Sequence, residues 1–229
     1  GPVTMRTAIQ KSLNLSAART LMELSGPDPT ENINNSVSYL AKMGVDVDSP
    51  NTTIRRTGSG IALGASNYST VEMASMFGTI ANKGVYISPT AYTKVVDAQG
   101  NVVLDGKAMQ QTTQVYQEST AWMLVDMLTD AVQGGTGHRA KVSGMTIAGK
   151  TGTHENKAFY FTGISPYYSA AVWIGHDDYK SMRGGAGGKA PDLLQILPLA
   201  LLCAVVPFKA VERDADLVER GGCEQRLRL

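Results

Sequence analysis

The chain has little of what would commit it to several familiar roles. Its 229 residues include two cysteines, Cys203 and Cys223. Two thiols are too few for a disulfide framework, and neither lies in a Cys-x-x-Cys or metal-ligand spacing. The three histidines, His138, His154 and His176, are scattered, so no metal site is expected from spacing. Neither sign of charge predominates: Lys plus Arg is 21 and Asp plus Glu is 20. That balance excludes an electrostatic nucleic-acid binder, whose footprint is a strong basic excess. No apolar run reaches the ~20 residues of a spanning helix; the longest, residues 193–208, contains Pro198 and Pro207. The glycine-rich stretch 58–64 has no hydrophobic strand before it, and 184–189 lacks the spacing and hydroxyl of a phosphate loop. No cofactor is expected. No Ser is followed three residues later by Lys anywhere in the chain, so one common arrangement for activating a serine nucleophile is missing.

What is present is ample material for a core. The chain is 43% hydrophobic, and a domain of this size buries roughly 70–75% of its unfolded surface. One large domain, or one and a small part of another, is expected. Gly1-Pro2-Val3-Thr4 reads as the interior of a longer protein rather than a leader, so the chain is read as a soluble fragment.

Residues 4–24 read as helical, with an interruption at Ser12-Leu13-Asn14, because Ser and Asn divert backbone hydrogen bonds to their side chains. A second helix fits 30–43, with Thr30 as N-cap and Gly44 at the left-handed C-terminal position. Residues 46–60 are polar and turn-rich. Ser69-Thr70-Val71-Glu72 has capping-box spacing and starts a helix whose Val71, Ala74, Phe77, Ile80 and Ala81 share a face. Residues 92–104 read as two short strands around a turn at 97–101. Residues 119–132 form the clearest helix, with Ala121, Trp122, Leu124, Val125 and Leu128 inward, and 133–137 ends it. Three strand-like runs follow at 145–153, 159–164 and 169–174. Their short links favour antiparallel pairing. The fold class expected is α+β, with helices packed on an antiparallel sheet. Residues 193–208 are the candidate for a closing helix on that sheet, and 209–229 reads as a solvated tail.

The stretch with most chemistry is Ile-Ala-Gly-Lys-Thr-Gly-Thr at 147–153. It sets an ammonium, two hydroxyls and a side-chain-free Gly along one segment, the equipment to grip a carboxylate beside a reacting carbonyl. On a strand, Lys150 and Gly152 face one way and Thr151 and Thr153 the other. Gly152 lets a ligand approach the backbone. The Thr153 N–H is a candidate oxyanion donor, worth about 3–4 kcal/mol where such donors have been removed. Lys150 at ~4 Å from a carboxylate contributes roughly 4 kcal/mol at an effective dielectric of 20, before desolvation. Ser12 and Asn14 form a candidate partner turn, a pattern too short to carry weight without its context. A surface strand with β-favouring Thr and a plain helix-to-helix turn are the structural alternatives. His154 is either a cleft residue or a surface-loop residue. Asp177-Asp178 reads as a solvated turn, and Trp122 and Trp173 as core.

The context is a resemblance. Gly1-Pro-Val-Thr-Met-Arg-Thr-Ala-Ile-Gln-Lys-Ser-Leu-Asn is similar to the segment around the Ser-x-Asn motif of penicillin-binding protein transpeptidases. Gly64-Ala-Ser-Asn-Tyr-Ser-Thr-Val-Glu-Met-Ala and Ile80-Ala-Asn-Lys-Gly resemble that family's helix behind the active site. Gly134-Gly-Thr-Gly resembles its turn before the catalytic strand. Ala148-Gly-Lys-Thr-Gly-Thr and Ala171-Val-Trp-Ile-Gly-His-Asp-Asp resemble its core strands, the latter most like the class A, bifunctional branch. The match runs from Gly1 to about Lys189, and Lys-Thr-Gly is the last member of a three-motif set.

The resemblance implies a serine β-lactamase/penicillin-binding protein transpeptidase-like fold, incomplete at its N-terminal side, with 1–208 the C-terminal part of a D,D-transpeptidase domain. It implies acyl transfer on peptidoglycan stem peptides ending in D-Ala-D-Ala, with β-lactam antibiotics as the other ligands. Ser12 relays a proton to the leaving amine, Asn14 bonds the donor peptide, and Lys150 orients Ser12 and attracts the terminal carboxylate. Thr151 and Thr153 bond that carboxylate across Gly152, and the Thr153 N–H forms half of an oxyanion hole. The nucleophilic Ser and its Lys belong upstream and are absent from this sequence, so the fragment alone is expected to be inactive. It is expected to associate with the missing N-terminal part of its own domain or with another copy. The implied location is the extracytoplasmic face of the bacterial cell membrane, with the anchor outside this chain. A non-catalytic peptide- or β-lactam-binding module and a serine β-lactamase-like hydrolase are the alternatives. Two departures stand out: Phe159-Tyr160-Phe161 lies where the family commonly has a Trp, and the residues after Pro191 do not resemble the family's usual ending.

Overall fold

Four antiparallel strands in the order β5-β6-β7-β8 carry the architecture: β5 Ala148–His154, β6 Ala158–Ile164, β7 Tyr168–Gly175 and β8 Cys203–Pro207. The structure is a computed structural model, and it describes residues 1–50, 53–182 and 203–207. The glycine-rich stretch 184–189 and the expected tail at 209–229 lie outside the described residues. Before the sheet come α1 Met5–Lys11, α2 Asn14–Met22, α3 Pro29–Lys42, α4 Gly58–Ala62 and α5 Thr70–Ala81. Four short strands follow, β1 Val85–Ile87, β2 Lys94–Val96, β3 Val102–Asp105 and β4 Thr112–Gln114, then α6 Glu118–Gln133 and a 3-10 turn at His138–Ala140. This is the expected α+β class. No helix among the described residues is long and apolar enough to cross a membrane.

One sheet face carries Ala148 and Ile164, which pack with Ile9 of α1, Phe77 of α5 and Val125 and Leu128 of α6. The other carries Phe159, Phe161 and Ile174, which pack with Val132, Ala140, Ile147 and Met182. With both faces covered, β6 reads as a nearly continuous apolar run rather than an alternation. Phe161 has no exposed surface. Its ring lies over Gly149 and Gly163, where an added Cβ would come within 2.6 Å of it.

Helix α5 lies between two layers. Ser169 Oγ of β7 donates to Ala74 O (2.6 Å) on one side, while Met76 on the other joins a small core of Met43, Val45, Tyr86 and Val115. Buried on nearly all sides, α5 needs a firm start. The capping box forms as expected: Ser69 Oγ accepts from Glu72 N (3.1 Å) and Ser69 N donates to Glu72 Oε2 (2.7 Å).

Five expectations are corrected. Helix α3 starts two residues earlier than Thr30 implied: Asp28 is the cap, its carboxylate accepting from Thr30 N, and Pro29 fills the first helical position. The turn-rich stretch 46–60 ends in the short helix α4, capped by Thr57 Oγ1 accepting from Gly60 N (3.0 Å). Val71 and Trp122 are 43% and 50% exposed rather than inward. The inward face of α6 runs through Ala121, Leu128 and Val132, and Trp122 is one 100° step off it. Part of the expected closing helix at 193–208 is instead the strand β8, whose Val205 and Val206 are β-branched and whose Pro207 ends it. The hairpin at 92–104 is present as β2–β3, but the pairing of β1 with β4 across 24 intervening residues was not read from local pattern.

Candidate functional site

Helix α1 ends abruptly at Ser12. Ser12 is left-handed (φ 56°, ψ 54°), and the Leu13 N–H turns back to Ala8 O (2.9 Å). Glycine is the usual residue in that conformation, and a side chain there costs about 1 kcal/mol or more, a strain that persists only where surroundings over-determine it. Leu13 then leads straight into α2 at Asn14. The interruption read from Ser-Leu-Asn is therefore real, and it turns the exposed Ser12 side chain outward from the helix pair.

Across from it runs β5. Lys150 Nζ donates to Ser12 Oγ (2.8 Å) and to Thr151 O (2.8 Å). A helix break and a strand 138 positions apart thus share a hydrogen bond. Lys150 is half-buried, and burial lowers its ammonium from the ordinary 10.5 to about 8. Among the described residues no carboxylate pairs with it. A cation taken from water without a counter-ion is a cost that an arriving anion offsets.

The strand alternates as expected. Lys150 and Gly152 pair in register with Thr162 and Tyr160, while Thr151 and Thr153 pair with Phe161 and Phe159. Thr151 Oγ1 lies 2.7 Å from Thr136 Oγ1, a hydroxyl pair in which either can donate. Gly152 sits beside Tyr160, whose Cβ would be 3.3 Å from an added Cβ, so a side chain there would crowd the neighbouring strand. Burial, with Tyr179 nearby, raises the Tyr160 phenol. Thr153 is exposed near the strand end. His154 is also exposed and meets the Tyr179 ring edge-on at 6.4 Å between centroids.

Of the six residues singled out, the structure joins Ser12, Lys150 and Thr151 by hydrogen bonds. Asn14 stands exposed two residues from Ser12, and its side chain bonds no other described residue. Gly152 and Thr153 follow on the same strand. No group of three or more His, Cys, Asp or Glu among the described residues is placed to share a metal ion.

Sequence reading missed the bracing around these residues. Arg6 on α1 reaches Asp126 (2.5 Å) and Asp130 (2.6 Å) on α6. Four residues on, Gln10 Nε2 donates to Asp130 O (3.4 Å). The loop at 134–137 presses so closely on α1 that a Cβ at Gly135 would lie 2.4 Å from Gln10 O. Only the glycines of Gly134-Gly-Thr-Gly hinted at this contact.

Known proteins share this arrangement of chain. A family model described as the penicillin binding protein transpeptidase domain matches residues 1–189. Penicillin-binding protein 1A of Clostridium perfringens is 36% identical over an alignment covering 97% of this chain and 26% of that protein. The chain spans about a quarter of the length of the curated relatives it matches. The penicillin-binding protein PonA1 from Mycobacterium tuberculosis superposes with a TM-score of 0.69 at 26% identity, over 83% of this chain and 54% of that one. PonA1 in complex with penicillin V gives a TM-score of 0.67 over the same shares, also at 26% identity.

Proposed function

The chain belongs to the penicillin-binding protein transpeptidase family, and from that premise we propose that it is the C-terminal part of a D,D-transpeptidase domain that cross-links peptidoglycan. The domain works at the extracytoplasmic face of the bacterial membrane, anchored by a segment outside this chain. Its ligands are stem peptides ending in D-Ala-D-Ala, and β-lactams that resemble them.

The observation that carries the reading is the contact of Lys150 Nζ with Ser12 Oγ at 2.8 Å, by an ammonium that burial has lowered to about 8. A substrate carboxylate beside Lys150 supplies the missing counter-charge, roughly 4 kcal/mol at ~4 Å and an effective dielectric of 20. That attraction offsets the desolvation the site has already imposed on the lysine. Thr151 and Thr153 donate hydroxyl hydrogen bonds to the same carboxylate, and Gly152 lets it lie close to the strand. Its position places the scissile carbonyl near the turn, where Asn14 bonds the donor peptide.

The acyl transfer then needs a serine nucleophile from residues not in this sequence. Its Oγ gives its proton to a base that also lies outside this sequence and attacks the carbonyl carbon, with the Thr153 N–H as one donor to the developing oxyanion. As the C–N bond breaks, the leaving D-Ala nitrogen takes a proton through Ser12 Oγ, replenished by Lys150 Nζ. The amine of a neighbouring peptide then attacks the acyl carbon, the ester bond to the serine breaks, and the serine oxygen recovers a proton. Ser12 on its left-handed turn suits a relay, because its hydroxyl both accepts from Lys150 and keeps a proton to give.

The alternative is a binding module without turnover, in which the same Lys150–Ser12 couple holds a carboxylate and no acyl transfer follows. One experiment separates the two. The protein expressed from its whole reading frame, and this chain alone, are each incubated with a fluorescent penicillin. The enzyme reading expects a covalent adduct on the whole protein, mapped to an upstream Ser-x-x-Lys, and none on this chain. An adduct on neither supports the module.

A further inference from the structure

Thr136 lies outside the residues assigned to substrate, yet it contacts both the α1 side and β5. Its backbone N–H donates to Gln10 O (3.3 Å), two residues before Ser12. Its side-chain oxygen lies 2.7 Å from Thr151 Oγ1, one residue after Lys150. Gly135 is pinned against Gln10 O and Ala131 O, at 2.4 and 2.8 Å from an added Cβ, and the Gly137 N–H donates to Ala131 O (3.0 Å). Thr136 is half-buried, and its hydroxyl has Thr151 as its hydrogen-bond partner among the described residues.

We propose that Thr136 is a positioning residue for carboxylate recognition: its hydroxyl donates to Thr151 Oγ1, which frees the Thr151 proton for an anionic ligand, and its backbone holds Ser12 at a set distance from Lys150. The proposal rests on the reading that a carboxylate binds along β5. Between the two hydroxyls alone, either can donate to the other. A carboxylate accepts hydrogen bonds and cannot donate them. Once it engages Thr151, the Thr151 proton points at the ligand and Thr136 must supply the proton between the two hydroxyls. Thr136 then polarises Thr151 in the direction that strengthens its bond to the anion. Without that donor, Thr151 Oγ1 keeps a lone pair unpaired in a half-buried place, and its rotamer is no longer fixed.

A residue that merely supports the fold would affect all ligands alike. The test therefore compares benzylpenicillin with its methyl ester, which keeps the reacting carbonyl and loses the anion. Acylation rates are measured in the protein expressed from its whole reading frame, as wild type, Thr136→Val and Thr136→Ser. The wild type is expected to prefer the acid. Thr136→Val, equal in size and lacking the hydroxyl, is expected to lower the acid-to-ester ratio about tenfold, through loss of the hydroxyl pair and a weakened bond from Thr151 to the carboxylate. Thr136→Ser is expected to restore most of that ratio. An unchanged ratio in Thr136→Val, or an equal fall for acid and ester, overturns the role given to Thr136. A wild type that reacts with both compounds and shows no preference for the acid overturns the carboxylate reading itself. A wild type that reacts with neither overturns the transpeptidase reading and this inference with it.

Discussion

Lys150 lies within a seven-residue strand, whereas Ser12 lies on an exposed turn between two short helices. The strand wall is made by volume. Phe161 fills the space that Gly149 and Gly163 leave open, and its neighbours Val132, Ala140 and Phe159 are buried with it. The turn wall is made by hydrogen bonds. Arg6 and Gln10 tie α1 to α6, Thr136 ties the loop after α6 to both walls, and Asn32 ties the end of α2 to α3. The contrast assigns different work to each side. Close packing holds the charged group at a fixed depth, where burial tunes its acidity. Hydrogen bonds hold the proton-carrying group, and these rearrange more easily than packed volume.

The contrast predicts a ranking of effects. Phe161→Ala is expected to cost about 3–5 kcal/mol, because it empties a fully buried site wedged between glycines; urea unfolding measures it. A loss below ~1 kcal/mol would mean that volume does not hold the strand wall. Next comes pH. Lys150 is lowered in the folded protein to about 8 from 10.5, so its burial opposes folding in full below pH 8, where both states are protonated. Between pH 8 and 10.5 the unfolded chain holds the extra proton, and stability from this group rises with pH. The gain is on the order of 2–3 kcal/mol after allowance for the solvent that reaches the ammonium. It appears as an upward slope in urea midpoint that Lys150→Met removes.

Asn32 sharpens the comparison from the other wall. It is 1% exposed, accepts from Ser25 N and donates to Met22 O (3.1 Å) and Gly26 O (3.0 Å). Asn32→Ala leaves those backbone groups unpaired and is expected to cost about 1–3 kcal/mol, with faster amide exchange across 22–26. The smallest effect is expected from Arg6→Ala. Its ion pairs are 46%, 42% and 38% exposed at the three side chains, and such pairs give roughly 0.2–1 kcal/mol. A loss above about 2 kcal/mol would show that α1 is held by charge rather than by the loop at 134–137.

Local signals in the sequence were legible where a single segment carried its own instructions. The capping box at Ser69, the hairpin around 97–101 and the helix break at Ser12 each depend on neighbours within four residues. The strands 148–175 were legible because short links leave antiparallel pairing as the simplest solution. What escaped depended on distant partners. The pairing of β1 with β4 joins segments separated by the β2–β3 hairpin, and β8 is a strand because β7 offers it an edge. Trp122 was read as inward both on the helix and by its chemistry, yet it lies one step off the buried face of α6 and is half exposed. At the site, the residue types at 12, 14 and 150–153 were legible through their order and resemblance. The hydroxyl pair of Thr136 and Thr151 was not, because no spacing rule relates a glycine-rich turn to a strand fifteen residues on.

The central claim is that Lys150 and Ser12 form one polar couple awaiting a carboxylate. Titrating the Lys150 side chain by NMR tests it most directly, with a D-Ala-D-Ala-terminated peptide added and with its C-terminal amide as control. The account predicts a pKa near 8 in the free protein, raised by the acid and not by the amide, and altered in Ser12→Ala. A lysine that titrates at its ordinary value and ignores both peptides would contradict it.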